Sequence, residues 1–236
     1  MIYGRNAVLE AARAGRLRRV LLAPGLTPDR RLEELRGLVA VEEAPSERLD
    51  ALARGVHQGV VGRLRPRSYL TLRELLARRP TLLVAVDGIE DPQNLGAILR
   101  GAEAAGADAV ILPERRVAPL GGAAVKASSG ASELIPICRV PGLASTISDL
   151  RRAGIWCVAL DQRGELAPWQ FDFTQPACIV VGGEGAGVHR LVRERSDARV
   201  RIPMQGRMAS FNAAAAAAAA LYEVARQRIT SGGATG

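Results

Sequence analysis

The run TLLVAVDGIEDPQNLGAILRGAEAAGADAVIL, residues 81–112, sets an apolar strand (81–86), a turn of Gly, Asp and Pro, an alanine-rich helix (94–105) and a second apolar strand (109–112) in succession. Strands this continuously apolar are buried on both faces, whereas a strand with one wet face would alternate, so the run predicts a parallel sheet joined by helical crossovers. The pattern recurs downstream. Further strands are expected at 155–160, 177–181 and 198–202, with helices near 119–127, 142–153, 188–194 and 210–228. The expectation for residues 80–236 is an α/β domain, a mostly parallel sheet with helices on both faces. Ligands of such sheets bind beyond the carboxyl ends of the strands, which directs attention to the loops after Val86, Leu160, Val181 and Ile202.

Upstream, residues 1–66 alternate short helical patterns (NAVLEAARAG, PDRRLEELRGL, SERLDALARG) with strands (LRRVLLA, QGVVGRL), a compact α/β module of its own. Residues 67–79 are basic, flanked by Pro66 and Pro80, and hold one short helical pattern; they read as the linker. No apolar run approaches the roughly 18 to 20 residues that span a bilayer, and the N-terminus lacks the plan of a signal peptide, so a cytoplasmic protein is expected. Cys138, Cys157 and Cys178 have no CxxC spacing and lie in apolar strand-like runs, the pattern of core cysteines rather than of a metal site.

The net charge is +8, and Lys126 is the only lysine among 32 basic residues. Arginine forks match phosphate geometry, so this composition suits a polyanion, although arginine enrichment also accompanies growth at high temperature. Residues 1–66 carry +4 and residues 67–79 carry +3, leaving +1 for the rest. The first third therefore holds most of the attraction.

Three loops carry residues that a plain scaffold does not call for. In DGIEDPQNLGAILRG, Asn94 is placed to cap a helix and Arg100 follows about 1.7 turns later; a cap and an exposed helix arginine would account for both without chemistry. In IVVGGEGAGVHRL, glycines around Glu184 let backbone approach a ligand, yet neither G-x-G-x-x-G nor a ribose-binding acid is present, which disfavours a nicotinamide-dependent dehydrogenase. In RIPMQGRMASFNAAAAAAAALYE, Ser210 and Asn212 suit a helix start, and the alanines permit a close helix contact.

Together these loops resemble, in order and spacing, the three motifs of the SpoU (TrmH-type) family of RNA ribose 2'-O-methyltransferases in the SPOUT superfamily. YGRNAVLEA and VHQGVVGRL resemble the opening and close of the small L30e-like RNA-binding domain of the bacterial 23S rRNA guanosine 2'-O-methyltransferases, so the likeness covers nearly the whole chain. The resemblance implies a deep trefoil knot near the C-terminus, S-adenosyl-L-methionine as cofactor without a metal, and a homodimer. It implies a catalytic set of Arg100, Asn94, Glu184, Ser210 and Asn212, with cofactor contacts at Gly182, Gly183, Ile202 and Phe211; Met204 and Leu160 are expected to wall the adenine.

The substrate implied is a guanosine of 23S rRNA. A tRNA ribose, or a noncatalytic RNA-binding protein on the same scaffold, are the alternatives. Phe211 departs from the leucine, and Ala213 and Ala214 from the valine and serine, that many family members carry after the motif-three serine. Arginines 13, 16, 18 and 19, with 63, 65 and 67, are expected to meet RNA phosphates. Aromatic residues make up 3% of the chain, so shape recognition of folded RNA is favoured over base stacking.

Overall fold

A computed structural model describes residues 1–13, 15–208 and 210–232. The N-terminal unit is built from β1 (Ile2–Tyr3), α1 (Arg5–Arg13), β2 (Leu17–Leu22), α2 (Arg30–Leu38), β3 (Val41–Glu43), α3 (Ser46–Leu52) and β4 (Val60–Leu64). Its sheet has the order β1-β4-β2-β3, with β2 and β3 parallel and the other pairings antiparallel. Strands β1 and β3 are too short to declare themselves by periodicity.

Residues 65–79 do not hang free between the units. The Leu70 amide donates to the Ile137 carbonyl (2.8 Å) and its carbonyl accepts from Arg139 N (3.1 Å), which places Leu70 beside an edge strand like one extra ladder residue. Helix α4 (Leu72–Ala77) follows, opened by a reciprocal capping box of Thr71 and Glu74. Leu75 is fully buried against the second sheet.

That sheet is built from β5 (Leu82–Asp87), α5 (Pro92–Ala104), β6 (Ala109–Pro113), α6 (Gly122–Ala127), α7 (Ala131–Leu134), β7 (Ile137–Val140), α8 (Leu143–Arg152), β8 (Trp156–Leu160), β9 (Ala177–Gly182), α9 (Arg190–Arg195), β10 (Ala198–Val200) and α10 (Ala213–Gly232). All its pairings are parallel, in the order β10-β8-β9-β5-β6-β7. Along β5 the side chains of Leu82, Val84 and Val86 enter the core under α5 and α10, while Leu83 and Ala85 enter the core under α4 and α8. Both faces are dry, which explains why the strands read as unbroken apolar runs.

Two expectations about elements are corrected. The run holding Cys138, strand-like in sequence but not among the five strands expected, is a sixth strand, β7, at the sheet edge. The strand expected over 198–202 ends at Val200, where the Val200 carbonyl accepts from Asp161 N (3.0 Å); the chain beyond leaves the sheet. The three cysteines are buried and free, as core cysteines should be. Among the described residues, no helix is long and apolar enough to cross a membrane.

Candidate active site

The loops after β8, β9 and β10 and the start of α10 meet at the carboxyl end of the second sheet around a cleft of about 980 Å³. Its walls are Leu160–Arg163, Val181–Gly187, Val200–Gln205, Ser210–Ala213, Arg193 and Ala216.

The loop after β9 is folded tightly back on itself. A Cβ at Gly182 would strike the backbone of Gly187 and Val188, and one at Gly183 the Gly88 carbonyl, so these two positions must be glycine for the loops to close. Asp87, at the end of β5, fastens the loop from below. Its backbone carbonyl accepts from Gly183 N (2.8 Å) and its carboxylate accepts from His189 N (2.7 Å). Asp87 was not among the candidates; an acid closing a buried strand just before a turn was the signal that could have found it.

Helix α5 begins differently from the expectation. Asp91, not Asn94, is the N-cap: its carboxylate accepts from Gln93 N (3.0 Å), and Pro92 takes the first helical position, where a missing N–H costs nothing. Asn94 is thereby released for other work, buried on the first turn. Its Nδ2 donates to Glu184 Oε1 (3.1 Å), and its Oδ1 accepts from Asn212 Nδ2 (2.8 Å). Asn212 Nδ2 also donates to Glu184 Oε1 (2.7 Å). Three residues from three loops, up to 118 positions apart in sequence, thus close a triangle of hydrogen bonds at the edge of the cleft.

Asn212 caps α10 as well. Its Oδ1 accepts from Ala214 N (2.9 Å) and Ala215 N (3.2 Å), so of the two residues expected to suit that helix start it is Asn212 that caps, while Ser210 lies in the cleft wall. Leu160, Gly182, Gly183, Ile202, Met204 and Phe211 line the cleft together. Asp161, unpredicted, lines it too; its carboxylate accepts from Arg163 N (2.8 Å) and pairs with Arg193 at 3.2 Å.

Arg100 is not among the cleft-lining residues. It lies exposed on α5, and its Nη1 donates to the Ser129 hydroxyl (3.2 Å) in the turn between α6 and α7.

The arginines expected at RNA divide. Arg18, Arg63 and Arg65 are exposed on the N-terminal unit. Arg13 is paired with Glu10 (2.6 Å) and Glu34 (2.7 Å), and Arg19 with Glu42 (3.0 Å), all solvent-facing pairs that a phosphate could displace. For Arg16 and Arg67 the expectation is corrected. Both guanidiniums turn inward to the buried carboxylate of Glu133, Arg16 at 2.6 Å, because burying that charge requires partners.

Comparison with known proteins matches this geometry to one family. The model of the SpoU rRNA methylase family matches residues 81–222, which contain the cleft and the triangle, and the model for RNA 2'-O ribose methyltransferase substrate binding matches residues 1–70. The chain belongs to the SpoU rRNA methylase family. It is 40% identical to the 23S rRNA (guanosine-2'-O-)-methyltransferase RlmB of Pseudomonas putida, over 96% of each chain. The SpoU methyltransferase AviRb from Streptomyces viridochromogenes, solved in complex with the cofactor AdoMet, superposes with a TM-score of 0.83 at 29% identity, covering 97% of this chain and 90% of the other. An AdoMet-bound rRNA methyltransferase from Sinorhizobium meliloti gives 0.76 at 28% identity, over 95% and 85%. As a SpoU methylase, the chain is an RNA 2'-O-methyltransferase.

Proposed function

We propose that this chain transfers the methyl group of S-adenosylmethionine to the ribose 2'-hydroxyl of a guanosine in 23S rRNA. The observation that carries the reading is the triangle of Asn94, Glu184 and Asn212 at the rim of the cleft. One side chain from each motif is held by the other two, which is what a constellation needs in order to be pre-organised.

The cleft suits the cofactor. Leu160, Ile202 and Met204 offer apolar walls for an adenine, and the glycine loop presents bare backbone to the polar parts of the molecule. Bound there, S-adenosylmethionine supplies a sulfonium-activated methyl, so no metal is required. Phe211, half exposed at the cleft, can contact the cofactor through its backbone as the leucine of relatives would.

The protein's own work is positioning and charge stabilisation. Asn94 and Asn212 fix Glu184 and with it the glycine loop, while Ser210 adds a hydroxyl at the polar end of the cleft. Arg100 grips the phosphate beside the target nucleotide and stabilises negative charge developing on the 2'-oxygen; a guanidinium is protonated at any working pH and is a poor base. Arg13, Arg18, Arg19, Arg63 and Arg65 bring in the RNA.

The homodimer and the trefoil knot that the resemblance implies belong to the same proposal. A stripe on α10, Ala215, Ala219, Tyr222 and Ile229, is exposed at helical spacing and gives a second copy a close, partly apolar face, while Ala213, Ala217 and Ala220 pack inward.

Unmodified ribosomal RNA incubated with the protein and methyl-labelled cofactor should gain one 2'-O-methylguanosine in 23S rRNA, and Arg100→Ala should lose at least a hundredfold in single-turnover rate. Label on a base, or on a tRNA alone, would overturn the assignment; a near wild-type rate for Arg100→Ala would remove that residue from the chemistry.

A further inference from the structure

The α6–α7 segment is held from both sides. From one side comes the N-terminal unit. Val125 of α6 packs within that unit's own hydrophobic cluster, the Lys126 ammonium lies 5.7 Å from the Tyr3 ring centroid, and Gly130 sits directly against the Glu10 side chain. The Glu133 side chain has no solvent exposure, and its two oxygens take Arg16 from β2's entry and Arg67 from the connecting segment; Arg67 also donates to the Ser132 carbonyl. A carboxylate buried in this way is tolerable only while paired, and both partners come from outside the parallel-sheet core, so loss of docking would strand the charge.

From the other side comes α5, which carries Asn94 and Arg100. At Gly96 it rides on the backbone of Ala124 and Ser128 so closely that a Cβ would come within 2.6 and 2.8 Å of them. Between these contacts the turn itself is stiff. The buried Ser128 hydroxyl donates to Val125 O (2.8 Å) and accepts from Ser132 N (3.2 Å). Ser129 has φ +51°, a left-handed conformation that a serine holds only when its surroundings enforce it. This strained residue is the one whose hydroxyl accepts from Arg100.

We propose that Ser129 and Glu133 are positioning residues for Arg100: docking of the N-terminal unit through Glu133 holds the α6–α7 turn, and the turn's Ser129 hydroxyl sets the orientation of the Arg100 guanidinium. The inference rests on the reading of Arg100 given above. Attachment of the RNA-binding unit and readiness of the catalytic centre are then one mechanical event.

The test uses the full chain, with methylation measured in single turnover at saturating RNA and cofactor, and with RNA affinity measured separately. Ser129→Ala should slow methyl transfer about ten- to a hundredfold, the scale of a misplaced catalytic group, with RNA affinity unchanged. Ser129→Asn should recover part of the rate, because asparagine accepts a left-handed φ and keeps an acceptor. Glu133→Gln should slow the same step, and Glu133→Gln combined with Arg100→Ala should be no slower than Arg100→Ala alone. Should Glu133→Gln fail to fold, Arg16→Gln, which leaves Glu133 its second arginine, takes its place in the cycle.

Ser129→Ala and Glu133→Gln within twofold of wild type beside an impaired Arg100→Ala would overturn the inference and leave the Arg100 reading intact. So would a Glu133→Gln defect confined to RNA affinity. Arg100→Ala at the wild-type rate would overturn both.

Discussion

Replacing Asn212 with aspartate separates what this side chain does for the helix from what it does for the site. Its Oδ1 accepts from Ala214 N and Ala215 N, while its Nδ2 donates to Asn94 Oδ1 at 2.8 Å and Glu184 Oε1 at 2.7 Å. Asn212→Asp keeps the cap, and a negative charge at the start of a 20-residue helix improves it by about 0.3–1 kcal/mol. The other two bonds become repulsive contacts. Losing them costs about 2 kcal/mol. Two carboxylates roughly 4 Å apart at an effective dielectric near 20 repel by up to about 4 kcal/mol, most of which the more exposed aspartate sheds by rotating away.

The net expectation is a loss of about 2 kcal/mol near neutral pH, or a fall in Tm of about 4–8 °C for a chain of this size. The sign with pH follows from the pair. Two carboxyls in contact hold a proton more tightly folded than unfolded, so the folded pKa is raised. The associated stability is fully present below the unfolded pKa and is lost as pH rises through the folded one. The deficit against wild type should therefore shrink on going from about pH 7.5 to about pH 5. Asn212→Ala, which loses the cap for about 1 kcal/mol and creates no carboxyl pair, should show no such change. Calorimetric unfolding of the three proteins across that range decides the matter: Asn212→Asp with a wild-type Tm near neutral pH and a flat difference would show that the triangle does not hold the loops together.

Burial pushes the Cys138 thiol up to about 11, and a side-chain hydrogen bond with Cys157, opposite it on the neighbouring strand, together with burial raises that of Cys178. An aromatic disulfide reagent at about pH 8 should therefore find no reactive thiol in the native protein and all three in guanidinium; one fast equivalent in the native state would refute the packing. Gly96→Ala should lower stability by about 1–3 kcal/mol despite the better helix propensity of alanine, since the added carbon meets backbone that cannot move aside; a rise in Tm would mean that α5 does not lie on α6 as described.

The parallel sheet was legible because each of its central strands is buried on both faces and says so locally. What failed to show was either too short or too distant. Strands β1 and β3 offer two and three residues of pattern. Asn94 looked like a cap because capping is the commonest use of an asparagine at a helix start, yet the competing signal, Asp91 followed by Pro92, began three residues earlier and is the stronger one. The inward turn of Arg16 and Arg67 depends on Glu133, 117 residues from Arg16, and no local pattern couples them. The same distance problem hides the triangle, and the trefoil knot that the resemblance implies has no periodicity at all.

The economy of the site follows from how α5 and α10 begin. An asparagine at a helix start ordinarily spends its side chain on backbone amides. In α5 that duty passes to Asp91, so Asn94 is free to face Glu184 and Asn212 from within the first turn. In α10 it cannot be passed on, because Ala213 and the alanines after it have nothing to cap with; Asn212 therefore uses its oxygen for the helix and its nitrogen for the site. An amide can give two protons from one end while its oxygen accepts at the other. Serine has a single rotatable proton and aspartate has none to give, so neither can make all four bonds, and among the described residues the asparagine is the polar link between the start of the last helix and the glycine loop.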